Sequence, residues 1–399
     1  MTNKNNLSVA RTLESIKRGA SEIISENELI LKLARGKPLR IKFGVDPTSP
    51  DIHLGHTVVL NKLKTFQELG HKIIFIIGDF TAKIGDPSGR AQTRPMLDEK
   101  DILANSETYV GQVFKVLDAD KTEVVHNSHW LYPLGLDGIL KLARSATVAQ
   151  MLHRADFSER FKKGADITIL EFLYPLLQGY DSVAVSADVE IGGTDQKFNL
   201  LVGRDLQKNA GQEPQVVITM PILEGLDGVK KMSKSYGNHV ALNDSPRDIF
   251  GKVMSVSDDM MYRWYELLTV EDLAAVKAGH PREAKARLAE LIVGRYYGSK
   301  TAADAREEFD KIFKQGGLPD DIAEHSVPYS GEVMLSEILM SSGLSPSKTE
   351  ARRLISQGAV RVAGEKISKD TPVSAARDFI LQAGKKNFRK IIFRKKETG

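Results

Sequence analysis

The chain has 399 residues, a formal net charge of +4, 41% apolar residues and no cysteine. That length suits two or three domains with sizeable cores, and the absence of cysteine excludes disulfides and thiolate metal sites. The polar start, MTNKNNLSVARTLESIKRGA, lacks the apolar stretch of a secretory signal, and the longest apolar runs, such as IIFIIG, are strand-length, too short to span a bilayer. A cytoplasmic protein with no membrane attachment is expected.

In chain order, LRIKFGVD (39–46) reads as a buried strand. TVVLNKLKTFQELG (57–70) follows with helical spacing and a glycine stop at Gly70. HKIIFIIGDF (71–80) is a second strand rich in β-branched residues. Strand–helix–strand units imply a parallel sheet in an α/β fold, with ligands at the carboxyl ends of the strands. FGVDPTSPDIHLGH and GDFTAKIGDPSGR lie at two such ends, and VSADVEIGGTDQKFN repeats the pattern. From about Ser245 to Gln315 the texture changes to successive amphipathic helices. QGGLPDDIAEHSVPYSGE reads as a linker. Beyond it, SPSKTEARRLISQG carries a capping-box start, Ser347 with Glu350, and a stop at Gly358. AVRVAGEKI has the pattern of a hairpin.

Charge is uneven. Met334 to Gly399 holds 14 Lys and Arg against 6 Asp and Glu, a net +8, so the rest carries −4. A basic tail on a mildly acidic body suits a polyanionic partner, and equally a solvated lysine-rich end.

His53 and His56 lie between a strand end and a helix start. A zinc helix wants histidines four apart with a glutamate, and this pair is three apart with Leu and Gly between. No protein-ligated metal is expected. Unpaired N–H groups and the dipole favour an anion at a helix start, where two imidazoles can donate to phosphate. A histidine-decorated cap is the plain alternative. Later, GVKKMSKSYGN packs Lys230, Lys231 and Lys234 among serines and glycines. Lysines are compact charges suited to phosphate, although such a run is often only a solvated loop.

Together, HLGH and KMSKS on an α/β pattern resemble the two signatures of class I aminoacyl-tRNA synthetases. IGDPSG, EFLYPLLQGYD and GGTDQKFN resemble further blocks of the bacterial tyrosyl-tRNA synthetase family, and the KMSKS spelling resembles its second subtype. The tail from about Met334 is similar to the ribosomal-protein-S-four family of RNA-binding domains. The resemblance implies a Rossmann-like parallel-sheet domain at 1–225, the KMSKS loop and a helical anticodon-side domain at 226–315, a linker at 316–332, and a small α+β RNA-binding domain at 333–399. It implies ATP acting with Mg2+, tyrosine and its tRNA as substrates, and a homodimer.

Site residues follow from the same resemblance. His53, His56 and Thr48 would bind the ATP phosphates, and Lys231 and Lys234, beside Ser233 and Ser235, would close over pyrophosphate. Gly44, Asp46, Gly55, Gly193 and Asp195 would serve the adenylate. Asp86, Tyr174 and Gln178 would hold the tyrosine ammonium, Asp181 the phenol, and Gln196 the carboxylate. Tyr174, Gln178 and Asp181 are spaced four and three apart, which suits one helical face. Lys348, Arg352, Arg353 and Arg361 would meet RNA. The sequence departs from the family at Lys42, where the better-known subtype places a tyrosine against the phenol. The nearest rival reading is a tryptophanyl-tRNA synthetase, and a more distant one is a noncatalytic RNA-binding relative.

Overall fold

The computed structural model describes residues 3–48, 52–88, 98–314, 322–329, 332–373, 378–384 and 387–395. The chain divides into two compact units, Met1–Ala302 and Ala303–Gly399.

The first unit is built on six strands: β1 (Glu22–Ile24), β2 (Arg40–Val45), β3 (Lys72–Ile77), β4 (Thr122–His126), β5 (Val189–Gly193) and β6 (Val216–Met220). They lie in the order β1-β6-β5-β2-β3-β4. β1 is an antiparallel edge on β6, and the remaining pairings are parallel. Ile73 to Ile77 are all buried, as a parallel strand covered on both faces requires. From β2 the chain winds outward through β3 and β4, and β5 and β6 then extend the sheet on the other side of β2. The β2–β5 boundary is thus a topological switch point, where such sheets open a crevice at their carboxyl ends. The β2–β5 ladder has registered pairs at Ile41–Val189 and Lys42–Glu190, and it stops there.

Two helices set the walls of that crevice. Leu54–Glu68 buries Leu60, Leu63, Phe66 and Gln67, the three-and-four spacing of a core-facing stripe, and it ends before Gly70 at φ +88°. Ile169–Ala184 starts at a Thr168–Glu171 capping box and presents Tyr174, Leu177 and Asp181 inward. It packs closely on Lys197–Asn209, because Gly179 leaves no room for a Cβ among Val202, Gly203 and Leu206. The expected helices after Ser245 are present, from Pro246–Met254 through Pro281–Tyr297, in the same unit as the sheet.

In the second unit, β7 (Glu324–Tyr329), β9 (Val360–Val362), β10 (Glu365–Ile367), β12 (Phe379–Ala383) and β13 (Asn387–Lys395) form a sheet in the order β10-β9-β12-β13-β7. A small pair joins β8 (Val333–Met334) to β11 (Pro372–Val373). Leu335, Ile338, Leu339, Ile355, Val360, Leu381 and Ile391 form the core. The stretch 316–332, expected as a linker, contains β7, which runs parallel to β13 with Val327 buried. The other residues of that stretch at 316–321 and 330–331 lie outside the described residues. Ser347 caps the Lys348–Ser356 helix through the Glu350 N–H at 3.2 Å, but the Glu350 carboxylate turns to Arg353 rather than closing the box. The expected hairpin is β9–β10, turned at Ala363 and Gly364 with positive φ at both.

Candidate active site

A cavity of about 680 Å³ opens at the β2–β5 switch point. It is lined by His53, His56, Thr48, Lys231 and Lys234; by Gly44, Asp46, Gly55, Gly193, Asp195, Ser233 and Ser235; and by Asp86, Tyr174, Gln178, Asp181 and Gln196. Residues from widely separated blocks of sequence are thereby brought into one pocket.

The two signature segments lie side by side. Leu54 N–H donates to the Val240 carbonyl at 3.0 Å, Leu242 N–H donates to the Ile52 carbonyl at 2.9 Å, and His53 bridges Ala241. A Cβ on Gly55 would sit 3.5 Å from Met232 and 3.0 Å from the His53 ring, so the helix start and the lysine loop are in near contact. Asn238 holds the loop's shape: it accepts from Ser233 N–H at 2.9 Å and donates to Asp227 at 2.8 Å and the Lys231 carbonyl at 3.2 Å. Lys231 and Lys234 remain exposed at its rim, while Met232 is buried beneath.

The histidine rings stack with centroids 3.9 Å apart. Burial pushes His53 down to about 2, with His56 and His239 adding to the effect, and burial pushes His56 down to about 4. Both are neutral at pH 7. His56 Nδ1 accepts from the His53 N–H at 3.2 Å, which leaves the His56 proton on Nε2. The pair offers N–H donors to a phosphate, and positive charge has to come from the lysines.

Across the cavity, Asp46 at the end of β2 accepts from Thr81 Oγ1 at 2.7 Å and from the Tyr174 hydroxyl at 2.9 Å. Burial pushes its carboxyl up to about 7. Asp86 accepts from Gln196 Nε2 at 2.6 Å, and Asn199 donates to both Gln196 Oε1 at 3.0 Å and Gln178 Oε1 at 2.9 Å. Asp195 is raised by burial, with Lys231 opposing. Asp181 is buried and accepts from Trp130 Nε1 at 2.8 Å. Burial pushes it up to about 7 against the pull of Lys42, Trp130 and Asn127. The result is a cavity that combines an acidic, hydrogen-bonded set of side chains with a donor-rich, lysine-rimmed one.

Lys42 points beneath the pocket. Its Nζ pairs with Glu190 Oε1 at 2.8 Å, and both side chains are buried. Two supporting residues lie outside every segment singled out in the sequence: Asn127, donating to Thr81 behind Asp46, and Arg154, donating to Asn199 at 3.1 Å; Thr81, Asn199 and Asn238 lie within such segments but have no role assigned to them there. A glycine next to a strand end is the one hint of Gly78, where a Cβ would overlap the Asp46 carboxylate and the Thr81 hydroxyl.

In the second unit, Lys348, Arg352 and Arg353 lie on one exposed helix, and each has an acidic partner: Glu337 at 2.6 Å, Asp370 at 3.1 Å and Glu350 at 2.6 Å. Arg361 lies on β9 and donates to the Gly364 carbonyl. Lys385, Lys386 and Lys396 of the basic end lie outside the described residues.

Residues 34–314 match the family described as tRNA synthetases class I (W and Y), and residues 314–391 match the tyrosine–tRNA ligase SYY-like C-terminal domain. The tyrosine–tRNA ligase of Moorella thermoacetica is 53% identical over 397 residues, covering 96% of each chain. That of Oleidesulfovibrio alaskensis is 54% identical over 392 residues, covering 96% of this chain and 98% of its own. The chain belongs to the tyrosyl-tRNA synthetase family. The catalytic match is common to the tryptophan and tyrosine enzymes, so the second domain and the relatives decide for tyrosine over tryptophan. Among solved structures, the Archaeoglobus fulgidus tyrosyl-tRNA synthetase complexed with L-tyrosine aligns with TM-score 0.61 at 24% identity, covering 75% of this chain and 99% of that one. A C-terminally truncated mitochondrial tyrosyl-tRNA synthetase from Aspergillus nidulans aligns with TM-score 0.64 at 20% identity, covering 78% and 100%. These likenesses establish the class I fold. As a tyrosine–tRNA ligase, the protein activates tyrosine with ATP and transfers it to tRNA. No helix among the described residues is long and apolar enough to cross a membrane.

Proposed function

We propose that the cavity holds tyrosine and MgATP together, with the phenol at Asp181, the ammonium among Asp86, Tyr174 and Gln178, and the phosphates between the His53–His56 turn and the Lys231–Lys234 loop. The observation that carries this reading is the backbone pairing of segments 52–54 and 240–242, which brings the neutral donors and the exposed cations together at the cavity. The tyrosine carboxylate attacks the α-phosphorus, and the α–β bridging bond breaks to release pyrophosphate. The tRNA terminal ribose hydroxyl then attacks the tyrosyl carbonyl, and AMP leaves. No covalent enzyme intermediate is needed: positioning and charge stabilisation do the chemistry.

His56 Nε2–H and the His53 ring donate to phosphate oxygens with Thr48 alongside, while Lys231 and Lys234 neutralise departing pyrophosphate between Ser233 and Ser235. Gln196 uses one amide N–H on Asp86 and keeps the other for the substrate carboxylate. Gly44, Gly55 and Gly193 leave room for the adenylate, and Asp46 and Asp195 supply acceptors to its sugar.

Segment 226–315 serves the anticodon side, and the basic second unit grips tRNA through Lys348, Arg352 and Arg353, exchanging their internal acidic partners for phosphates, and through Arg361. The enzyme is cytoplasmic and acts as a homodimer. Incubation with tyrosine, MgATP and pyrophosphatase tests the catalytic reading. It should leave enzyme-bound tyrosyl-adenylate recoverable by gel filtration, and recovery of none overturns it.

A further inference from the structure

The Lys42–Glu190 pair is the last registered rung of the β2–β5 ladder before the crevice opens. Lys42 is 0% and Glu190 1% exposed. The Lys42 ammonium spends all three hydrogens at short range, on Glu190 Oε1 at 2.8 Å, Ser182 Oγ at 2.7 Å and the Gln178 carbonyl at 2.9 Å. Ser182 Oγ in turn donates to Glu190 Oε2 at 3.1 Å, and Gln215 Nε2 donates to the same oxygen. Gly203 makes space for this network, since a Cβ there would come within 2.7 Å of Gln215 Nε2 and 2.9 Å of Ser182 Oγ. Gln178 and Ser182 bracket Asp181 on its helix, so the ammonium grips the turn that presents that carboxylate.

A buried ion pair is a poor device for stability, because desolvating both charges offsets their attraction and an apolar pair often does as well. What an apolar pair cannot supply is a field. Lys42 is the largest influence opposing the burial of Asp181, and Glu190 acts in the opposite direction. Asp46 from the end of β2 and Tyr174 on its own helix also act electrostatically with Asp181, and Asp86 lines the same cavity. None of these is a cation.

We propose that Lys42 and Glu190 are positioning residues for the phenol end of the tyrosine pocket, fixing where Asp181 points and balancing its negative charge so that it accepts from a phenol. The proposal rests on the reading of Asp181 as the phenol's acceptor. It gives a physical use to the lysine that stands where the better-known subtype has a tyrosine.

The two charges have opposite signs, so removing each should move Asp181 in opposite directions, which loss of structure alone cannot do. Tyrosine affinity of the full-length enzyme is measured across pH 5.5 to 9 for Lys42→Met, Glu190→Gln and Asp181→Asn. The tyrosine-to-phenylalanine ratio of kcat/KM is measured in parallel by pyrophosphate exchange. Lys42→Met should raise the midpoint of tyrosine binding and Glu190→Gln should lower it, each by on the order of one pH unit. Below its midpoint, Lys42→Met should bind tyrosine about tenfold more weakly than the native chain at the same pH. Glu190→Gln is nearly isosteric, and the unpartnered Gln215 Oε1 can turn to accept its amide, so this variant should fold even if Lys42→Met does not. In that event the direction of the Glu190→Gln shift decides alone. Shifts in the same direction, or no shift in Glu190→Gln, overturn the proposal. An unchanged tyrosine-to-phenylalanine ratio in Asp181→Asn instead overturns the phenol reading beneath it.

Discussion

The backbone N–H of His53 donates to Nδ1 of His56 at 3.2 Å, across rings stacked 3.9 Å apart. The bond pins the second imidazole as an Nε2–H tautomer at the start of the Leu54–Glu68 helix. On the proposed reading, each ring removed deletes a transition-state donor. His53→Ala and His56→Ala should each slow adenylate formation by roughly 3–4 kcal/mol of lost stabilisation, while tyrosine binding changes little. Single-turnover adenylate formation beside equilibrium tyrosine binding checks this, and near-native rates in both variants would remove phosphate handling from the pair.

The same histidines predict a flat pH response. Their values are pushed to about 2 and about 4, so they lose no proton between pH 6 and 8. Asp46 and Asp181, both raised to about 7, do titrate there and are ionised above it. Tyrosine binding should therefore strengthen as pH rises through 7, and Asp181→Asn should flatten that rise. Its discrimination against phenylalanine should shrink too, because a carboxylate that phenylalanine would leave unpaired is gone. Calorimetric titration of tyrosine across the range gives both readings.

Gly78 is a sharper structural test. A Cβ there overlaps the Asp46 carboxylate and the Thr81 hydroxyl. Gly78→Ala should destabilise by about 1–3 kcal/mol and separate these partners. The expected result is a lowered melting temperature together with a raised KM for tyrosine or ATP. A variant with native kinetics and native melting would show that the Asp46–Thr81 bond has no functional weight.

Much of this was legible in the sequence. Ile73 to Ile77 announce a buried strand, and HLGH and KMSKS announce two segments that meet at the cavity. Elements that depend on distant partners were not legible. β7 is spelled EHSVPY and carries Pro328, so it reads as linker, yet β13 provides a parallel partner some sixty residues later. Lys42 reads as a defect in the phenol pocket because its partner Glu190 is far away in sequence. Arg154 and Asn127 are single polar residues whose value is set by what they touch.

β7 also moves the point at which the tail can be removed. A chain ending at Ser330 would keep a strand whose sheet is missing, whereas one ending at Lys314 stops before it. That shorter chain should fold and form tyrosyl-adenylate, because every residue lining the cavity precedes it. It should bind tRNA more weakly and with a shallower salt dependence, since fewer Lys and Arg displace counterions. Equal tRNA affinity and salt slope in both chains would make the basic end only a solvated one.

The central claim is that this cavity selects tyrosine and joins it to ATP. Pyrophosphate exchange into ATP, driven separately by tyrosine, tryptophan and phenylalanine, tests it most directly. Exchange should be rapid with tyrosine and weak with the other two, and Asp181→Asn should lose most of the tyrosine signal. Exchange driven equally well by tryptophan or phenylalanine, or by none of the three in a folded enzyme, would contradict the account.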